Sequence, residues 1–180
     1  MRGVERHCYK LRKFFTCICM NIERNFIYRV AANDDMDKIV ALIKQILAEF
    51  DLVYDDSTSD KDLLNIEDAY NNNGGIFLII ENERNDLIGT VGLQKVTDKT
   101  GMIKKMYIEE SHRGMGLGDK LLKRILTEAE KLNFEEVVLD TFHTMTGAIR
   151  LYEKYGFTRV DGFEPVSQRC DILMSKDLRR

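Results

Sequence analysis

Between Ile108 and Leu117 the apolar period of the chain changes from that of a strand to that of a helix, and the change runs through glycines at 114, 116 and 118. Alternating glycines let the backbone N–H groups of residues 114–119 converge on one point with no Cβ atoms in the way. The helix that starts here adds the positive end of its macrodipole, and Arg113 places a full charge at the rim. Such a turn fits a phosphate or a diphosphate. The competing reading is a tight strand-to-helix turn in which glycine serves sterics alone.

Two other phosphate loops are weighed against it. A nucleotide-triphosphate loop ends in Gly-Lys-Ser/Thr, whereas Gly118 is followed by Asp119, Lys120 and Leu121, so that reading fails. A dinucleotide fold wants G-x-G-x-x-G after its first strand and an acid further on. Asp140 supplies such an acid, but the third glycine comes one position early and too little chain follows for a second nucleotide-binding half.

Around this turn the chain reads as a mixed α+β domain. Phe26–Val30 is β-prone, and Asn33 or Asp34 can cap a helix whose apolar face is Ile39, Val40, Leu42, Ile43, Ile46, Leu47 and Phe50. A second helix is expected over 60–70, closed by Asn71–Gly75. Strands at 76–81, 87–96 and 102–108 have short connections, which imply an antiparallel meander. Leu117, Leu121, Leu122, Ile125, Leu126, Ala129 and Leu132 form one face of the next helix, with Asn133 as a left-handed cap. An apolar strand at 137–139, a helix at 145–155 stopped by Gly156, and strands at 157–160 and 169–174 complete the order β-α-α-β-β-β-α-β-α-β-β. A mostly antiparallel sheet with helices on both faces is the expected fold.

At 180 residues the chain suits one domain. A formal charge of -3 offers no basic field for nucleic acid or an anionic membrane, and no apolar run approaches the ~20 residues of a spanning helix. Cysteines at 8, 17, 19 and 170 match neither a disulfide scaffold nor paired zinc ligands, so no metal is expected and a reducing, cytoplasmic compartment suits them. The first residues differ in character: a basic stretch precedes the apolar run Phe14–Met20, which is faintly signal-like but lacks a small-residue cleavage site. Residues 1–24 are read as a disordered or dispensable leader and 25–180 as the domain.

Met106-Tyr107-Ile108, Arg113-Gly114-Met115-Gly116-Leu117-Gly118 and Ala148–Phe157 together resemble the GNAT superfamily of N-acetyltransferases. Arg113, Gly116 and Gly118 meet the pattern R/Q-x-x-G-x-G/A. Ala148, Leu151, Tyr152, Glu153, Gly156 and Phe157 meet A-x-x-L-Y-E-x-x-G-F at every position. The resemblance implies an acetyl-CoA-dependent enzyme in which the strand ending near Ile108 splays from the strand at 137–140. By the same resemblance Met106, Tyr107 and Ile108 hold the pantetheine arm through backbone groups, residues 113–118 hold the diphosphate, and Asp119 and Tyr155 join the donor site. Tyr152 would protonate the departing thiolate; from periodicity alone it reads as a core aromatic.

The general base is the weak point. Many relatives carry a glutamate on the strand that here begins Met102-Ile103, and only Glu109 and Glu110 come late; Met145 stands where relatives often have an asparagine. His143 is the candidate base, on location and titration range. Between Glu49 and Asp68 eight acids face the single base Lys61, which suggests a cationic amine acceptor, or merely a solvated face. A non-catalytic acyl-CoA sensor of the same fold and, more distantly, a dinucleotide-binding oxidoreductase are the alternatives. A homodimer is left open.

Overall fold

The computed structural model describes residues 22–23, 26–162 and 170–179. Its strands are β1 (Ile22–Glu23), β2 (Phe26–Val30), β3 (Ile76–Asn82), β4 (Leu87–Lys95), β5 (Thr100–Ile108), β6 (Glu136–Thr141), β7 (Thr158–Arg159) and β8 (Ile172–Asp177). They form one sheet in the order β1-β2-β3-β4-β5-β6-β8-β7. Every neighbouring pair is antiparallel except β5 and β6. A single parallel pair excludes the dinucleotide fold, which needs a mostly parallel sheet.

Helices cover both faces. On one lies α1 (Met36–Ala48), which buries Ile39, Leu42, Ile43, Ile46 and Leu47 along a single stripe, as its periodicity predicts. The caps expected at Asn33 or Asp34 lie elsewhere: the Asp35 carboxylate accepts the Ala32 N–H at 2.9 Å, and Asn33 instead accepts the Glu67 N–H at 3.2 Å. The helix expected over 60–70 is broken into a 3-10 turn (Lys61–Leu64) and the short α2 (Ile66–Ala69). Asn65 divides them in extended backbone, and its side chain caps α2 by accepting the Asp68 N–H. Buried Leu63, Ile66 and Tyr70 join Ile39, Ile43, Leu47, Phe77 and Ile79 in the cluster on this face.

On the other face lie α3 (Leu117–Lys131) and α4 (Thr146–Lys154). Leu117, Leu121, Leu122, Ile125, Leu126 and Ala129 of α3 pack with Tyr28, Ile80, Val91 and Ile103 of the sheet. Asn133 ends α3 at φ 61, the left-handed cap expected of it. At the far edge the expected strands shift: the pair at 157–160 shortens to Thr158–Arg159, and the last strand runs 172–177 rather than 169–174. Ile22 and Glu23, assigned to the leader, pair with Ile27 and Phe26. Residues 1–21, with Cys8, Cys17 and Cys19, lie outside the described residues. Among the described residues no helix is long and apolar enough to cross a membrane.

One irregularity decides what β5 presents. Thr90 pairs with Tyr107 and Gly92 with Lys104, so Val91 faces two residues, Lys105 and Met106. The extra residue is a β-bulge, which reverses the alternation beyond it. Ile103 faces the α3 side; without the bulge Tyr107 would share that side. Instead Met106 and Ile108 pack with the α3 cluster and Tyr107 with the α1 cluster.

Candidate active site

The parallel pairing of β5 and β6 runs from Thr100/Glu136 to Ile103/Leu139. Past that point both strands continue unpaired with one another, to Ile108 and Thr141, and a wedge opens between them. A cavity of about 610 Å³ occupies this end of the molecule, within the usual range for small-molecule sites. Met106, Tyr107 and Ile108 form one wall; Thr144–Ala148, Leu151 and Tyr152 form another; the glycine turn closes the floor, and Ile46 and Phe50 from the end of α1 overhang it.

The glycine turn has the conformation its sequence demands. Gly114 and Gly116 lie at φ 76 and 77, left-handed values that favour glycine. A Cβ at either would meet nothing within 4 Å, so packing does not require the absence of a side chain; backbone conformation does. Gly118 has no such conformation, and a Cβ there would meet Leu151 Cδ2 at 3.4 Å, an ordinary contact. Neither backbone nor protein neighbours explain glycine at 118, a position that lines the cavity. The first bond of this turn into α3 is donated by Lys120 N–H to the Gly116 carbonyl at 3.1 Å. The N–H groups of Leu117, Gly118 and Asp119 precede it, at the positive end of the helix, and are of the kind that holds an anion. The residues present therefore fit a phosphate-bearing group.

Arg113 is less free than its sequence position suggests. Its Nε donates to the Ile108 carbonyl at 2.9 Å and its guanidinium lies 2.6 Å from Glu49 at the end of α1. The charge expected at the rim is thus shared with a carboxylate, and the pair ties α1 to the glycine turn. Next to it His112 lines the cavity with Nδ1 2.6 Å from Glu109, a pairing the sequence reading missed. Ser111 and then His112 hold the Glu109 carboxyl below its ordinary range.

Asp119 lines the cavity by its place in the first turn of α3, and its carboxylate faces α4, bonding Lys154 and the Tyr155 hydroxyl, the latter at 2.7 Å. Lys154 first and Tyr155 second lower the Asp119 pKa, while burial and Asp119 push the Tyr155 hydroxyl up to about 12. Tyr155 clamps α3 to α4 and does not line the cavity. Nor does Met115, which points into solvent.

Tyr152 is a core aromatic, as its periodicity predicts, that also reaches the cavity. It belongs to the buried cluster, with its ring 5.9 Å from that of Phe157, and it lines the cavity. Burial, and secondarily the Asp140 carboxylate, raises its pKa far above that of a free phenol, so the hydroxyl keeps its proton. His143 is elsewhere. Its backbone N–H and Nδ1 both face Asp171, at 2.8 and 2.5 Å, which ties the exposed ring to the approach to β8, and the cavity lining includes Thr144 but not His143. The cavity residues that sequence reasoning missed, Ile46, Phe50, His112, Thr144 and Leu151 among them, come from segments far apart in the chain that meet only in the folded molecule.

The acid-rich run is largely occupied. Besides Glu49 on Arg113, Asp55 closes a turn on Ser57 and Thr58, Glu67 bonds Asn33, and Asp68 bonds Asn65. Asp60 and Asp62 lie buried against Lys105, and Tyr70 donates its hydroxyl to Asp62. Asp51 and Asp56 face solvent.

The acetyltransferase (GNAT) family model matches residues 39–157. An uncharacterized N-acetyltransferase of Schizosaccharomyces pombe is 30% identical over 138 residues, covering 76% of this chain and 85% of its own. The Escherichia coli protein YjgM, likewise named an uncharacterized N-acetyltransferase, is 30% identical over 151 residues, covering 80% of this chain and 90% of its own. Among solved structures, a GNAT-family acetyltransferase of Staphylococcus aureus superposes with a TM-score of 0.80 at 23% identity, over 86% of this chain and 99% of the other. The yncA protein of Salmonella typhimurium, solved with its cofactor acetyl-CoA, superposes at 0.68 with 22% identity, over 86% and 95%. On its motifs, its sheet and these likenesses, the chain belongs to the GNAT acetyltransferase family.

Proposed function

We propose that the protein transfers the acetyl group of acetyl-CoA to an amine by direct attack within the β5/β6 wedge. The observation that carries this reading is the single cavity that has the glycine turn at one end and the Tyr152 ring in its wall. The acetyl-CoA held by a protein of the same fold, and a spermidine N-acetyltransferase chimera among the other structural neighbours, support the donor and the acceptor class. In this reading the N–H groups of residues 114–119 hold the diphosphate, and backbone groups of Met106–Ile108 complete the strand edge that β6 leaves unpaired, by bonding the pantetheine arm.

The amine nitrogen forms a bond to the thioester carbonyl carbon and the carbon–sulfur bond breaks. Tyr152 gives its proton to the departing sulfur and recovers one from water, a service worth about 10²–10⁴ in rate. Its raised pKa keeps that proton in place near neutral pH. The amine's own proton passes to water, since His143 lies outside the cavity. His143→Ala is then expected to leave kcat/KM within about twofold.

Release of free CoA thiol, followed over a panel of primary amines, tests the reading. Amine-dependent release by the wild type, lost in Tyr152→Phe, is the expected result. CoA binding with no amine-dependent release would make the protein a sensor of the same fold.

A further inference from the structure

Lys105 combines three features that no ordinary strand position needs. It is a non-glycine residue at φ 53, it is the residue at which β5 bulges, and its side chain is only 5% exposed. Left-handed backbone at a lysine and a buried ammonium are each unfavourable, and both persist only where the surroundings fix them. Here they do so from two directions. The buried Thr90 hydroxyl donates to the Lys105 carbonyl at 2.6 Å and holds the bulge from β4. Lys105 Nζ donates to the Ser59 carbonyl and to Asp60 Oδ1, both at 2.7 Å, and lies 3.2 Å from Asp62. Asp60 is fully buried and its second oxygen accepts the Asp55 N–H at 2.9 Å, so the same carboxylate closes the 55–60 turn.

We propose that Lys105 is a positioning residue for acetyl transfer. Its ammonium, locked under the connection from α1 to α2 by Ser59, Asp60 and Asp62, holds β5 in the bulged register that turns Met106 and Ile108 into the cavity. The contact also works in the other direction: it seats the 55–64 connection on the strand that lines the donor cavity. Donor site and α1–α2 connection therefore form one mechanical unit, joined at a side chain outside both motifs. The proposal rests on the reading that the cavity takes acetyl-CoA.

Lys105→Met removes the charge but keeps an unbranched stem, and Asp62→Asn leaves the ammonium on Ser59 and Asp60 as a milder perturbation. Each is compared with the wild-type protein for CoA dissociation constant, for KM and kcat, and for amide hydrogen exchange at residues 106–108. In Lys105→Met the CoA dissociation constant and the acetyl-CoA KM should rise about tenfold. Asp62→Asn should give a smaller rise in the same direction, with kcat at saturation within about threefold in both. Exchange at 106–108 should quicken in the same order. A residue that merely stabilised the fold would lower the melting temperature of both variants and leave these ratios unchanged in the folded protein; that result overturns the proposal. If Lys105→Met does not fold, an Asp62→Asn protein with wild-type affinity and exchange overturns it equally. Should wild-type protein bind no CoA, the donor reading fails, and exchange at 106–108 alone decides the role of Lys105: quickened exchange supports it and unchanged exchange refutes it.

Discussion

The two faces of the sheet are built by different physics. On the α3/α4 face, a continuous apolar cluster and a glycine turn make the structure, and polar side chains stay at the rim. On the α1/α2 face, the connection between the helices is held by buried charge: Asp60 and Asp62 on Lys105, with Lys104 and Tyr70 on Asp62. Arg29, reaching Asp35 and Glu81 at 2.7 Å each, fastens the start of α1 to β2 and β3. The first kind of construction repeats along the chain and survives substitution of like for like. The second depends on individual partners brought from far away, as Lys105 and Asp60 are, 45 residues apart.

The sharpest way to break this contrast is chemical. If the α3/α4 face carries the reaction, Tyr152→Phe should lower kcat by about 10²-fold or more while the acetyl-CoA KM moves by less than about threefold, read by steady-state thiol release. A loss of that size from any substitution on the α1/α2 face with the fold intact would show that the division of labour is drawn in the wrong place.

Apolar packing, by contrast, should treat the faces alike. Leu121 and Ile43 are both fully buried, one in each cluster. Leu121→Ala and Ile43→Ala are each expected to cost about 2–5 kcal/mol in denaturant unfolding. Costs differing by more than that range would mean that one face has a core and the other a veneer.

This contrast also explains what could be read from the chain. The stripes of α1 and α3, the meander and the glycine turn follow from period and turn chemistry, signals local to a segment, while the wedge comes only from the family resemblance that two motifs carry. The expected 60–70 helix failed because Asn65 prefers to cap α2 from extended backbone, and a propensity count does not register that. The acid run is only partly legible for a related reason. Counted along the chain, Asp60 and Asp62 belong to a run that faces either a cationic acceptor or solvent, because Lys105, the cation that buries them, belongs to a strand whose bulge has no signature in sequence. His143 failed as a cavity residue because its orientation is set by Asp171, on the approach to β8.

Smaller effects sharpen the electrostatic half. Arg29→Met leaves Asp35 and Glu81 with no guanidinium between them, and Glu81 is buried, so about 1–3 kcal/mol of unfolding free energy should disappear near neutral pH. The pH dependence has a definite sign. Hydrogen bonds from Arg29 hold the Asp35 carboxyl below its ordinary range, against the opposing effect of burial. A depressed folded pKa gives stability that is present above the unfolded value of about 3.9 and is lost as pH falls through the lower, folded one. Denaturant midpoints measured from pH 6 down to pH 2 should therefore fall in the wild type, and less steeply in Arg29→Met.

The smallest effect expected concerns the acceptor. Glu49, Asp55, Asp60, Asp62, Glu67 and Asp68 are each bonded within the protein, while Asp51 and Asp56 are exposed. Two solvent-exposed charges, screened by water and by salt with a Debye length of about 8 Å at physiological ionic strength, contribute little to encounter. Asp51→Asn with Asp56→Asn should thus shift the KM of a polyamine by less than about twofold relative to a neutral-chain amine, and the ratio should not change with ionic strength. A polyamine KM that rises several-fold, and more so at low salt, would restore recognition of a cationic acceptor to this face and join it to the chemistry assigned to the other.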